Sequence, residues 1–348
     1  MTYRLPGTLR RLATGALAAF AATALAGGTA LANTKLTVYT AIEADQLKAY
    51  QEAFNADHPD IEINWVRDST GIVTAKLLAE KDNPQADIVW GLAATSLVLL
   101  KTEGMLEPYE PKGFDQLVPK YRDHATPPTW VGMDVYSAAI AFNTVEAERL
   151  GLPKPSCWKD LLDPVYKGYI VMPNPASSGT GLFDVTGWLQ QFGEEEGWRF
   201  MDALHENIGV YTHSGSKPAK MAAAGEYPIG ISFDYRVATE KSKGAPVDLI
   251  LPCEGSGWEM EASAIIKGTK NLEAAKTLLD WSISRKAMEM YNEGYAVVAM
   301  PGVAKAVEHL PEDLESRLID NDFEWVATHR EAILEEWIER YDTKSEPK

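Results

Sequence analysis

Apolar residues along the chain fall into two alternating patterns: short runs of strand length, and stretches in which they recur every three to four positions. Residues 36–39 form the first run. Leu47, Tyr50 and Phe54 then fall at helical spacing, Ile61, Ile63 and Trp65 alternate as in a half-buried strand, and Ile72, Ala75, Leu78 and Ala79 mark a second helix before the strand at 86–90. Strand, helix, strand, helix, strand implies right-handed crossovers and a mainly parallel sheet, hence an α/β domain. Pro-containing stretches at 108–111 and 127–128 interrupt the pattern. It restarts with an apolar run over 135–142. A strand at 169–172, helices at 181–192 and 194–205, and strands at 229–233 and near 249–251 make a second α/β unit. A run at 263–266, one long helix over 272–293 and an acidic helix near the C-terminus come last. Such a late block is expected to return and complete the first unit.

The first 32 residues have a different character. Arg4, Arg10 and Arg11 precede an apolar Ala/Leu stretch from 12 to about 26 and the small-residue triplet Ala30-Leu31-Ala32. This is the layout of a cleaved export signal, expected to be cut before Asn33 and to release a soluble chain into an oxidising compartment. The pair Arg10-Arg11 is too short a signal to choose between export routes. Cys157 and Cys253, the two cysteines, are 96 residues apart, a spacing that fits neither a CxxC redox pair nor a zinc motif. In an oxidising compartment a structural disulfide is the economical reading, with two buried free thiols as the alternative.

Composition narrows the function. The 348 residues carry 50 acidic and 33 basic side chains, a formal net charge of −17, which repels nucleic-acid phosphates and acidic lipid headgroups. The length favours two lobes. The six histidines are scattered without metal-ligand spacing, and no HExxH, CxxC or GxSxG occurs. No catalytic residue, metal or cofactor is expected. The acids Glu259 and Glu261 are expected on one solvated strand face.

What stands out is the position of hydroxyl- and glycine-rich loops after strands: Tyr39-Thr40-Ala41, then Asp68-Ser69-Thr70-Gly71, then Trp90-Gly91. Ligands of open α/β sheets bind at the carboxyl ends of strands, where helix N-termini offer unpaired N–H groups to anions. The same residues also serve as plain helix caps. Asn174-Pro175-Ala176-Ser177-Ser178-Gly179-Thr180-Gly181 is the strongest such loop, because small residues let main chain approach an oxyanion closely. It lacks the lysine of a nucleotide P-loop, so a phosphate-bearing small molecule fits better than ATP chemistry. Ser214-Gly215-Ser216-Lys217 is a similar, weaker loop. Asp234, in Ser232-Phe233-Asp234-Tyr235-Arg236, is placed either to meet a ligand cation or to pair Arg236.

The blocks LTVYTAIEAD (36–45), QADIVWG (85–91), AFNT (141–144), WKDLLDPVYKGYIVMPNPASSGTG (158–181), GISFDYR (230–236) and AIIKGTKNLEAAKTLLDW (264–281) together resemble the periplasmic substrate-binding proteins of ABC importers. The branch is the one that includes iron(III), thiamine and phosphonate binders, and the pattern looks most like the 2-aminoethylphosphonate-binding proteins. The resemblance implies a type II two-lobed α/β fold with two hinge crossovers and a ligand in the interlobe cleft. It places lobe one at 33–132 plus 260–305 and lobe two at 133–259 plus 306–348. It implies a monomer that hands its aminophosphonate to an inner-membrane permease, without nucleic acid. Thr40, Ser69, Thr70, Ser177, Ser178 and Thr180 are expected at the phosphonate end, and Tyr39, Glu43, Trp90, Asp234 and Tyr235 at the ammonium end and cleft wall. Ferric iron is the alternative within the family: Glu43 matches an iron binder's first ligand, but Asp234-Tyr235 supplies one phenolate where iron binders carry two. An exported phosphoester hydrolase using Ser178 or His213 is the reading from another class.

Overall fold

The computed structural model describes residues 33–347, so the expected export signal lies outside the described residues. β1 (Thr34–Thr40), α1 (Ala44–Asp57), β2 (Ile61–Arg67), α2 (Thr70–Ala79), β3 (Ile88–Ala93) and α3 (Ala94–Thr102) follow the alternation read from the sequence. Then come β4 (Val131–Asn143), α4 (Thr144–Leu150), β5 (Ile170–Pro173), α5 (Gly179–Phe192), α6 (Glu194–Asn207), β6 (Ile208–Thr212), α7 (Lys217–Ala223), β7 (Ile229–Phe233), α8 (Asp234–Ser242) and β8 (Val247–Ile250). β9 (Trp258–Ile265), α9 (Leu272–Ser282), α10 (Arg285–Tyr291), β10 (Val297–Val298) and α11 (Phe323–Tyr341) complete the chain.

The strand order is β2-β1-β3-β9-β4-β7-β5-β6, with β10 and β8 also paired to β4. β1, β2 and β3 are parallel, as are β5, β6 and β7, while β9 and β4 run antiparallel to their neighbours. The thirteen-residue β4 is buried throughout and belongs to both halves: residues 131–137 pair with β9, and 138–143 pair with β7 and β8. The fold is therefore two α/β lobes, one built on β1–β3 and β9, the other on β5–β8, with β4 and β9 running between them. Cys157 and Cys253 are bonded to each other. α11 packs on α3 and sets Trp337 edge-on against Tyr211 of β6, with ring centroids 4.8 Å apart.

Three expectations need correction. Glu259 and Glu261 are buried, because β9 is an inner strand between β3 and β4 with both faces covered. The long helix over 272–293 is two helices: the Ser284 hydroxyl accepts the Ala287 amide and starts α10 afresh. Trp90 does not follow a strand but lies within β3. Its indole N–H donates to the Tyr291 hydroxyl at 3.0 Å, amid the rings of Tyr50, Trp65 and Trp281. That cluster is the core of the first lobe.

Candidate functional site

A cleft opens where the two lobes meet. Its walls are the segments that leave the strands of both sheets. From the first lobe come Ala41 and Glu43 after β1, Arg67, Ser69 and Thr70 at the end of β2, and Gly91, Leu92 and Ala93 of β3. From the second come Ser178, Gly179 and Thr180 at the start of α5, with Ser214 and Gly215 after β6. Tyr136, Phe233, Glu261 and Tyr295 complete the lining. This is the strand-end position at which open α/β sheets hold their ligands.

The lobes touch across it through main chain. The Gly71 amide donates to the Ser177 carbonyl at 3.0 Å. A Cβ on Gly71 would lie 2.8 Å from that carbonyl oxygen and closer still to that of Ala176, and one on Gly179 would lie 2.7 Å from Thr70 Oγ1. Glycine at both positions is what lets the walls meet. A second bridge is ionic. The fully buried guanidinium of Arg236 on α8 reaches over to Glu43 at 2.8 Å and Asp45 at 3.1 Å, and also meets Glu240 of its own helix at 3.3 Å. Burial opposes a buried charge, but Asp45 and Glu43 outweigh it and hold Arg236 above its ordinary range. The Tyr235 ring stacks on Tyr295, with centroids 4.9 Å apart.

Arg67 is the one cation lining the cleft among the described residues, and nothing in the sequence reading singled it out. Its Nε donates to the Ile42 carbonyl at 3.0 Å, and Nη2 lies 3.8 Å from Glu43, leaving the side chain 31% accessible. The available signal was its position as the last residue of β2, directly before Asp68-Ser69-Thr70-Gly71. The plain-capping explanation does not account for Ser69: it precedes α2, yet its side chain makes no capping bond. Ser178 does cap α5, accepting the Gly181 amide at 3.4 Å. That leaves the Gly179 and Thr180 amides as the open donors of a fourteen-residue helix.

Of the residues expected at the oxyanion end, Ser69, Thr70, Ser178 and Thr180 are brought together in the cleft, and Thr40 and Ser177 stand behind it. Thr40 Oγ1 accepts the Ile42 amide at 3.1 Å, and Ser177 Oγ donates to the His213 carbonyl at 3.0 Å. The group expected at the ammonium end is not assembled. Tyr39 donates to Glu80 at 2.9 Å, and Trp90 is in the core. Glu43 lines the cleft but is committed to Arg236 and Arg67. Asp234 pairs neither a cleft group nor Arg236: Ser137 Oγ donates to it at 2.9 Å and the Tyr235 amide at 2.7 Å, and burial raises its pKa to about 6. Tyr235 spends its ring on Tyr295.

The acid that does face the cleft is Glu261. Its Oε2 is buried without a partner, and burial, then the charge of Glu43, raises its pKa to about 8. Across the β4/β9 ladder from it is Asp134, fully buried with both oxygens unpartnered and raised well above the carboxylate range for the same reason. Burial favours the protonated form of Glu261, which can donate to a ligand oxygen. The cleft thus gathers one guanidinium, two helix N-termini and several hydroxyls together with the Glu261 carboxyl and the Tyr136 and Tyr295 rings.

The sequence profile of the bacterial extracellular solute-binding protein family matches residues 83–324. The chain is similar in structure to a periplasmic binding protein, AfuA, of Actinobacillus pleuropneumoniae solved with fructose 6-phosphate bound. The TM-score is 0.83 and the identity 31%, over 89% of this chain and 99% of that one. In sequence it is 28% identical to a probable ABC transporter periplasmic-binding protein of Sinorhizobium fredii, over 90% of this chain and 87% of the relative. It is 22% identical to a putative 2-aminoethylphosphonate-binding periplasmic protein of Salmonella paratyphi A, over 80% and 82% respectively.

Proposed function

The chain belongs to the bacterial extracellular solute-binding protein family, and on that premise we propose that it captures a small phosphorylated solute in the periplasm for an ABC importer, without catalysis. The observation that carries the reading is the convergence of Arg67, Ser69, Thr70 and the first turn of α5 on one cleft. A carboxylate has two oxygens to satisfy. A phosphoryl group presents three, and the many donors gathered here match the larger demand. Neutral donors and a single guanidinium let closure exclude water without trapping an unpaired charge.

The carboxyl and rings of the cleft favour a hydroxylated tail over an ammonium group. Four of the five acids and rings expected to hold an ammonium (Tyr39, Trp90, Asp234 and Tyr235) lie outside the lining, and Glu43 is already neutralised by arginine. A protonated Glu261 suits a hydroxyl better than a cation. A sugar monophosphate is therefore the leading ligand, in keeping with the fructose 6-phosphate bound by the A. pleuropneumoniae protein. 2-Aminoethylphosphonate is the second reading. It is favoured by the unpartnered Glu261 Oε2, which would ionise beside an ammonium, and by the Salmonella relative.

Calorimetry with fructose 6-phosphate, 2-aminoethylphosphonate, inorganic phosphate and ferric citrate separates these readings. Fructose 6-phosphate should bind most tightly, and Arg67→Met should weaken it by about 2–5 kcal/mol, at least roughly 30-fold in Kd, as for charged hydrogen bonds that a ligand buries. A tighter response to the aminophosphonate moves the assignment to the second reading. Strong ferric binding, or an Arg67→Met variant that binds like the parent, removes the oxyanion site altogether.

A further inference from the structure

The loop 213–217 forms part of the second lobe's wall, yet it is anchored from the far end of the chain. The segment after α11 runs beside β6: Ser345 pairs with Tyr211 in parallel fashion, and the Glu346 amide donates to the Tyr211 carbonyl at 2.9 Å. The Glu346 carboxylate then accepts the His213 amide at 2.7 Å and pairs with Lys217, while the His213 ring lies 3.2 Å from the Pro347 carbonyl. Further back, Asn174 of the β5–α5 loop donates to Ser345 Oγ at 2.9 Å. One carboxylate therefore holds both ends of the loop. Between those ends lie Ser214 and Gly215, which line the cleft.

The inner side of the loop tolerates little movement. Ser232 Oγ donates to the Gly215 carbonyl at 2.7 Å, and a Cβ on Gly215 would lie 2.7 Å from Thr180 Cβ, so the loop abuts the helix turn that faces the ligand. A shift outward would carry Ser214 away from the cleft and open a gap beside Thr180. We infer that Glu346 is a positioning residue for ligand binding: the C-terminal segment, through the Glu346 carboxylate, clamps residues 213–217 so that Ser214 and Gly215 complete the oxyanion wall. The inference rests on the cleft being the ligand site, and it adds a residue that never touches the ligand.

The test uses the full chain, with fructose 6-phosphate and inorganic phosphate as probes, and amide hydrogen exchange at 213–217 as a readout that needs no ligand. Glu346→Ala should speed exchange in that segment and weaken both probes about 5- to 10-fold, the loss of one well-placed hydrogen bond. Glu346→Gln keeps the acceptor for the His213 amide and should stay within about 2-fold of the parent. Ser214→Ala should cost a similar factor, and the double variant Glu346→Ala/Ser214→Ala should be no worse than the more severe single one, since both lose the same contact. Fast exchange with unchanged affinity, or strictly multiplied losses in the double variant, would overturn the positioning role. If the parent binds neither probe, the ligand assignment fails on its own, and unaltered exchange in Glu346→Ala then overturns the clamp.

Discussion

Gly71→Ala should leave the chain folded and abolish tight ligand capture. The added methyl group would meet the main-chain oxygens of Ala176 and Ser177 from the opposite wall, and main chain has no rotamer with which to yield. Overpacking of this kind costs about 1–3 kcal/mol, and rigid neighbours place it at the upper end. Spent entirely against the closed state, about 3 kcal/mol weakens apparent affinity roughly 150-fold. A chain whose lobes part without ligand avoids the clash, and alanine is the better helix residue at the second position of α2. The thermal midpoint without ligand should therefore hold or rise while calorimetric affinity collapses. Gly179→Ala is the graded control. Its methyl group meets Thr70 Oγ1 and Cβ at 2.7 and 2.9 Å, a milder overlap than the one at Gly71, so the loss should be smaller. A Gly71→Ala chain that binds as tightly as the parent would mean that the Gly71–Ser177 approach is not part of the bound state.

The second large effect concerns stability and pH. Burial raises Glu261 to about 8, Glu259 to about 7 and Asp234 to about 6, and pushes Asp134 and Asp184 well above the carboxylate range. Between about pH 4.5 and 8 the folded chain holds protons that the unfolded chain has released, so stability falls as pH rises through that window. Each such proton is worth about 1.4 kcal/mol per pH unit. Two or three of them amount to several kcal/mol, and the thermal midpoint at pH 5 should exceed that at pH 8 by about 10 °C. His205, which burial lowers, opposes the trend below about pH 6.5 by at most one proton. The carboxylates held low by cationic partners, such as Asp123 beside Lys101 and Asp248 beside Lys154, act only at more acid pH. Asp134→Asn should flatten the slope, since Asp134 raises no proton demand once it is an amide and no longer opposes ionisation of Glu261. A midpoint that climbs from pH 5 to pH 8 in the parent would show that these carboxyls are solvated.

How far the sequence could be read depended on whether the information was local. The β1–α1–β2–α2 alternation and the loop 174–181 were legible because periodicity and small-residue composition act over a few neighbours. The inner position of β9 was not: Glu259 and Glu261 alternate like a solvated face, and only their pairing with β3 and β4 shows that both faces are covered. The same holds at the site. That Ser69, Thr70, Ser178 and Thr180 line the cleft could be read because they sit in loops after strands. Trp90 and Asp234 occupy equally suggestive positions, but one turns into an aromatic core and the other onto Ser137 from a distant strand. Arg67 was passed over because a cation at a strand end has no local mark that separates it from a surface arginine. Its partner Glu43 is 24 residues away, and the arginine that occupies Glu43 from the other lobe is nearly two hundred away.

A crystal structure of the chain grown with fructose 6-phosphate probes the oxyanion site at its source. The expected density sets the phosphorus within hydrogen-bonding reach of Arg67, Thr70 and the Gly179 and Thr180 amides, the sugar hydroxyls toward Glu261, and the Gly71 amide on the Ser177 carbonyl. Sugar phosphate bound with its phosphoryl group turned away from Arg67 and α5, or lodged outside the interlobe cleft, contradicts the account.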